Sequence, residues 1–207
     1  MRKRRTAEER KAEIVRATLA LADTVGPDRL TTEAIAREVG ISQPAVFRHF
    51  ATKQALWAAV AEALGASMRA RWQAAVEAHA DPLDRMRALV EAQLGLIEAT
   101  PAITAILFSR ELHAQNAPLR EAFLALMLQF HATLRAALDE AAATGRLRPG
   151  VAPADAASLL IALVPGLAVR WSLSGKAFPL TREGLRLFTL QLDGLVHSAH
   201  CNSWNDA

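Results

Sequence analysis

The chain has no tyrosine and only one cysteine, Cys201, among 207 residues. A single thiol cannot close a disulfide within one chain. That excludes the small disulfide-stapled folds and suits a reducing compartment. No stretch alternates apolar and polar residues with the period of two that a half-buried strand requires, so no β-rich block is expected. Common catalytic signatures are also missing: there is no GxxxxGK phosphate loop, no GxSxG nucleophile turn, no HExxH and no CxxC. The N-terminal residues are charged through Glu13 and lack the apolar segment of a secretion signal. The longest uncharged apolar run, Ala156 to Val169, is shorter than the roughly 20 residues of a membrane span and contains Pro165-Gly166. These absences predict a soluble, cytoplasmic protein with no membrane partner.

What is present is helix-forming. Hydrophobic residues make up 52% of the chain, enough for a substantial core, and alanine and leucine dominate them. The fold class expected is all-α, with about nine helices. Thr6 followed by Glu9 has the spacing of a capping box, and the helix it opens should run to Gly26. Thr31-Thr32 opens a second helix that stops at Gly40. Ser42 caps a third, and Pro44 is tolerated in its first turn. A long fourth helix follows Thr52 and runs to about His79. Asp81-Pro82 and Thr100-Pro101 start the fifth and sixth. Asn116 to Pro118 starts the seventh, which ends near Gly145. Pro153 opens an eighth, kinked or broken at Pro165-Gly166, and Thr181 caps a ninth that runs to about Ala199. No internal repeat or low-complexity block interrupts this order.

Charge is unevenly distributed. The net charge is +3, yet residues 1–53 hold 11 Lys/Arg against 7 Asp/Glu, so the surplus lies at that end. It begins with the arm Arg2-Lys3-Arg4-Arg5, suited to phosphate contact through counterion release. The division expected is a three-helix domain at 1–53 with a basic arm at 1–5, a helical domain at 54–199, and a frayed tail at 200–207.

The most informative segment is Leu30 to Leu56, LTTEAIAREVGISQPAVFRHFATKQAL. Helical spacing buries Ile35, Ala36 and Val39 on one helix and Val46 and Phe50 on the next, with Gly40 permitting a tight turn between them. The second helix is left to offer Gln43, Pro44, Ala45, Arg48 and His49 outward. Two short helices joined by such a turn make a helix-turn-helix, whose second helix enters the major groove. Gln43 can pair with adenine N6 and N7, Pro44 and Ala45 suit a thymine methyl, and Arg48 and His49 can bond phosphates or base edges. Thr32 and Lys53 stand at helix starts, where phosphate is bound.

This segment resembles the DNA-binding domain of the TetR family of bacterial repressors. The threonine pair, IAREVGIS, the aromatic-x-His-Phe run and the following Lys-x-x-Leu all stand at that family's spacing over roughly residues 10–60. The resemblance implies a DNA-facing set of Thr32, Gln43, Pro44, Ala45, Phe47, Arg48, His49 and Lys53. It also implies a homodimer on a palindromic operator and a repressor released by a small molecule. One position departs from the pattern: the family usually has Tyr where this chain has Phe47, and Phe47 cannot donate a hydroxyl to phosphate.

The remaining helices would dimerise and sense a ligand. The eighth is apolar nearly all round, so it should be covered on more than one face, and the ninth carries an apolar stripe. A two-fold four-helix interface would use Leu160, Leu163, Leu167, Leu185, Phe188, Leu192, Leu195 and Val196. A pocket for a hydrophobic effector would draw on Met86, Phe108, Phe123, Met127, Phe130, His131, Arg170 and Trp171. Arg170, between Val169 and Trp171, reads as buried and in need of a carboxylate partner or an anionic ligand. No catalytic residue, cofactor or metal is expected. His197, His200 and Cys201 have a spacing that suits metal ligands but fall at a fraying end. The competing readings are a protein-interaction bundle with a vestigial helix-turn-helix, and an enzyme or metal-binding protein.

Overall fold

A computed structural model describes residues 5–197. The arm residues Arg2 to Arg4 and the tail with His200 and Cys201 lie outside the described residues. Ten helices are present among those described: α1 Ala7–Thr24, α2 Thr32–Val39, α3 Gln43–His49, α4 Lys53–Glu77, α5 Pro82–Ala99, α6 Ala102–Phe108, α7 Arg110–Gln115, α8 Ala117–Ala143, α9 Pro153–Leu173 and α10 Leu180–Asp193. They form two compact units. The first holds the chain up to Arg69 together with Ala99–Leu126, and the second holds Ala70–Glu98 together with the chain from Met127 onward.

In the first unit the predicted capping box is present. Thr6 Oγ1 accepts from the Glu9 amide at 3.2 Å, and the Glu9 carboxylate accepts from the Thr6 amide at 2.7 Å. α1 packs on α2, α3 and α6, burying Ile14, Val15, Thr18 and Ala22. One helix more than expected arises because the predicted sixth splits at Ser109. Its hydroxyl accepts from the Leu112 amide at 3.0 Å and donates to Asp28, so a side chain replaces the helical bond and starts α7 afresh. Asn116 then caps α8 through the Leu119 amide at 3.2 Å. Trp57 and Asn116 are both buried, and their Nε1 and Nδ2 donors find no partner.

In the second unit Met86, Leu89, Val90 and Leu94 of α5 are buried, with Leu134 and Leu138 of α8. Trp72 donates to Gln93 at 2.9 Å and packs at a tilt against Phe130, with ring centroids 5.1 Å apart. Asp81 caps α5 through the amides of Leu83 and Asp84 and pairs with Arg146. Burial alone would raise the Asp81 carboxyl, but Arg146 and the two amides together hold it below the usual carboxylate range. α9 runs unbroken through Pro165, which corrects the broken alternative. At 21 residues it is apolar and long enough to cross a membrane by length and composition, although Leu160, Val164, Leu167 and Trp171 are buried in the unit.

α10 starts one residue before Thr181, and its cap is not local. Glu98 of α5 accepts from the amides of Leu180 and Thr181, at 2.8 and 3.2 Å, and from the Thr181 hydroxyl. The hydroxyl bond is the main cause holding the Glu98 carboxyl below its ordinary range, and the two amides add to it. α10 ends at Asp193, short of the predicted Ala199. The following residues turn back instead: Leu195 accepts from the Arg148 amide at 3.0 Å, and the His197 amide donates to Arg146 at 2.9 Å.

Candidate nucleic-acid interface

Gly40 ends α2 with φ +71°, a left-handed conformation that costs an L side chain about 1–2 kcal/mol. Its amide closes onto the carbonyls of Ala36 and Arg37, and α3 starts three residues later. Ser42 holds the N-cap position, but its side chain makes no capping bond. α2 and α3 pack on each other and on α1 through Ile35, Ala36, Val39, Val46 and Phe50, the inner set read from the sequence.

With that inner face fixed, α3 leaves Pro44, Phe47 and Arg48 exposed, three and four residues apart on one side. Gln43 and His49 are half-buried at its edges. Phe47 is 41% exposed, so its ring is free to meet a partner surface. Ala45 does not belong to this surface. It is 8% exposed and faces inward beside Val46, so it cannot meet a base as the sequence reading expects.

The flanking helix starts add further groups. Thr31, not Thr32, caps α2, accepting from the Ala34 amide at 3.1 Å. Thr32 sits half-buried in the first turn, and its hydroxyl accepts from Gln43 Nε2 at 2.9 Å. Gln43 Nε2 also donates to Glu33, a partner absent from the sequence reading. Thr52 caps α4 through the Ala55 amide at 3.0 Å, and Lys53 follows, exposed. Among the described residues neither Arg48 nor Lys53 is paired with a carboxylate, so both cations are available to phosphate, whereas Arg5 is paired with Glu13.

The pocket candidates differ in burial. Met86, Phe123, Phe130 and Trp171 are buried, His131 is half-buried near Ser158, and Phe108 and Met127 are exposed. Arg170 is exposed, which corrects its expected burial. It lies 3.9 Å from Glu183 and stacks over Phe178 at 4.7 Å, so its carboxylate partner is in the same chain. Met86 lines a cavity of about 80 Å³ with Val76, Leu89, Thr133 and Ala137.

The expected subunit contacts also need correction. Leu160, Leu167, Phe188, Leu192 and Val196 are buried within the single chain, while Leu163, Leu185 and Leu195 are half-buried. On α9 and α10 the large apolar side chains left outside are Leu159, Leu173 and Leu190, at 55%, 84% and 65% exposure. Gln191 of α10 donates to the Leu159 carbonyl of α9 at 3.1 Å, which links the two helices.

Two short helices around a left-handed glycine, with Phe47 and Arg48 outward on the second and Lys53 at the start of α4, make the helix-turn-helix of a DNA-binding transcriptional regulator. Residues 14–67 match the model of the bacterial regulatory proteins of the tetR family, and residues 82–196 match that of the BetI-type transcriptional repressor C-terminal region. The chain belongs to the TetR family; it is a transcriptional regulator and not an enzyme. A curated relative is the nucleoid occlusion factor SlmA of Marinomonas sp., 27% identical over 76% of this chain and 80% of that protein. The fold is shared with a TetR transcription regulator from Haloarcula marismortui, at TM-score 0.78 and 20% identity over 92% of this chain and all of that one. It is also shared with FadR of Bacillus subtilis, solved in complex with stearoyl-CoA, at TM-score 0.74 and 16% identity over 89% and 98% of the two chains.

Proposed function

We propose that this regulator is a repressor that binds a palindromic operator as a homodimer and is released by a small apolar ligand. It would act in the cytoplasm, on the nucleoid. Residues 1–53 are the DNA-binding domain and 54–199 the sensing and dimerising one. The observation that carries the reading is the outward face of α3: Pro44, Phe47 and Arg48 stand together while Val46 and Phe50 anchor the opposite side. Gln43 reads a base edge, Pro44 and Phe47 pack on thymine methyl or sugar, and Arg48, His49, Thr32 and Lys53 hold phosphates.

Dimerisation follows from the need for two half-sites about 34 Å apart. The surface suited to it is the outer side of α9 and α10, where Leu159, Leu173 and Leu190 leave apolar area that a two-fold partner would cover. An apolar effector is supported by the buried Met86, Phe130 and Trp171 of the second unit, and a structural neighbour carries an acyl-CoA. α4 is continuous from Lys53 to Glu77, so a ligand favouring one tilt of it would alter the spacing of the two α3 helices. Only differential affinity for the two tilts shifts the population.

The test is selection of bound sites from random DNA at physiological salt, with Gln43→Ala alongside. A two-fold symmetric site that changes in the variant supports the reading, and recovery of no site in either protein sinks it. The relationship to a nucleoid occlusion factor favours a second reading, in which the protein acts on the nucleoid and not at one promoter. Mapping the selected site onto the genome separates the two: one or a few promoters for a repressor, many dispersed sites for the other.

A further inference from the structure

We infer that Glu33 sets the base preference of the recognition helix by fixing what Gln43 can offer to the groove. The inference rests on the operator reading above and goes beyond it, since Glu33 is acidic and belongs to no expected DNA-facing set. A glutamine amide has one carbonyl oxygen and two N–H donors. Here both donors are taken: one bonds Thr32 Oγ1 at 2.9 Å and the other bonds the Glu33 carboxylate. The orientation of the amide is fixed chemically, because a carboxylate only accepts and would repel the amide oxygen in the same place.

Gln43 therefore meets DNA with its Oε1 alone. A free glutamine pairs bidentately with adenine, accepting from N6 and donating to N7, and so singles out adenine. An acceptor alone recognises any amino group in the major groove, which means adenine N6 or cytosine N4. To reach adenine N7, Nε2 would have to leave a charge-assisted bond, the stronger kind of hydrogen bond. At the base read by Gln43, the wild-type protein accepts A and C nearly equally and rejects G and T.

Thr32 and Glu33 sit side by side in the first turn of α2, and Gln43 is the first residue of α3, so the helix-turn-helix core holds all three in register. Glu33 is exposed, and its replacement leaves that core intact. It is a positioning residue: it acts on DNA through Gln43.

The experiment pairs a DNA-free readout with a DNA readout. In nitrogen-edited NMR spectra of the free protein, the Gln43 side-chain amide, identified by its loss in Gln43→Ala, should move and exchange faster with solvent in Glu33→Ala. In site selection, Glu33→Ala should raise the preference for A over C at one position per half-site about fivefold or more, the range of a bidentate contact. Glu33→Ala combined with Gln43→Ala should abolish that gain. Overall affinity also rises when the acidic charge is removed, so only the A-to-C ratio is diagnostic. An amide signal unmoved in Glu33→Ala overturns the inference, as does a ratio within about twofold of wild type. A shifted amide with no selected site from any variant overturns the operator reading and this inference with it. A static amide beside a clear operator overturns this inference alone.

Discussion

Removing the Glu98 carboxylate should release the start of α10 without touching the DNA-binding helices. Glu98 gives its two oxygens to the Leu180 and Thr181 amides and to the Thr181 hydroxyl. Those amides are among the unpaired donors of a helix start, and loss of a single N-cap side chain costs about 1 kcal/mol. Glu98 is half-buried and serves three donors, so Glu98→Ala should cost about 2 kcal/mol, or roughly 4–8 °C in melting temperature for a chain of this size. Glu98→Gln keeps the shape and one acceptor and should lose about half as much. The dependence on pH has a definite sign. The folded Glu98 carboxyl titrates below its unfolded value, so its contribution is complete above about pH 4.3 and is lost as pH falls through the lower folded value. Melting of wild type and Glu98→Ala should therefore be compared at fixed protein concentration from neutral to acid pH. The gap between them should be widest near neutrality and close in acid. A gap that persists undiminished at the acid end, or no gap at pH 7, refutes a charge-dependent cap.

Three further outcomes are expected. Lys53→Ala should weaken binding to specific and random DNA alike and lower the slope of log affinity against log salt by about one, read by fluorescence anisotropy; an unchanged slope removes Lys53 from the phosphate contacts. Phe47→Tyr restores a hydroxyl on an exposed ring and should tighten operator binding by up to about tenfold; equal or weaker binding means that the ring does not face phosphate. Leu159→Asp with Leu190→Asp should give a helical monomer in sedimentation velocity that has lost operator affinity, and a persistent dimer would place the interface elsewhere.

The first unit was legible where its signals are local. Thr6 and Glu9, Thr31, Gly40 and Thr52 act within a few residues of their targets, and the structure uses each of them at a helix end. Ser109 also acts locally, but no glycine or proline marks it in the run Ile106 to Leu112, so the break in the sixth predicted helix passes unseen. Glu98 is legible to no local pattern, because it caps a helix 82 residues away. Ala45 fails for a different reason. Its small size fits both a base-facing and an inward position, and only the packing of α3 on its neighbours decides between them. The bonds from Gln43 to Thr32 and Glu33 likewise depend on the angle between two helices, which sequence spacing does not specify.

The subunit surface exposes a more general limit of periodicity. An amphipathic pattern locates the strongest apolar stripe of a helix, and in a protein that folds before it pairs, that stripe serves the chain's own core. On α10 the stripe through Phe188 and Leu192 is buried within one chain, and Leu190 stands opposite to it. On α9 nearly every position is apolar, so the pattern has no phase and cannot separate Leu160, which is buried, from Leu159, which is not. In the proposed dimer the interface would belong to the weaker face, marked by an apolar residue that the core leaves uncovered. Finding that residue requires the core to be assigned first. For the proposed dimer, Leu159 and Leu190 are therefore the positions to test first, ahead of the five stripe positions that the chain's own core buries.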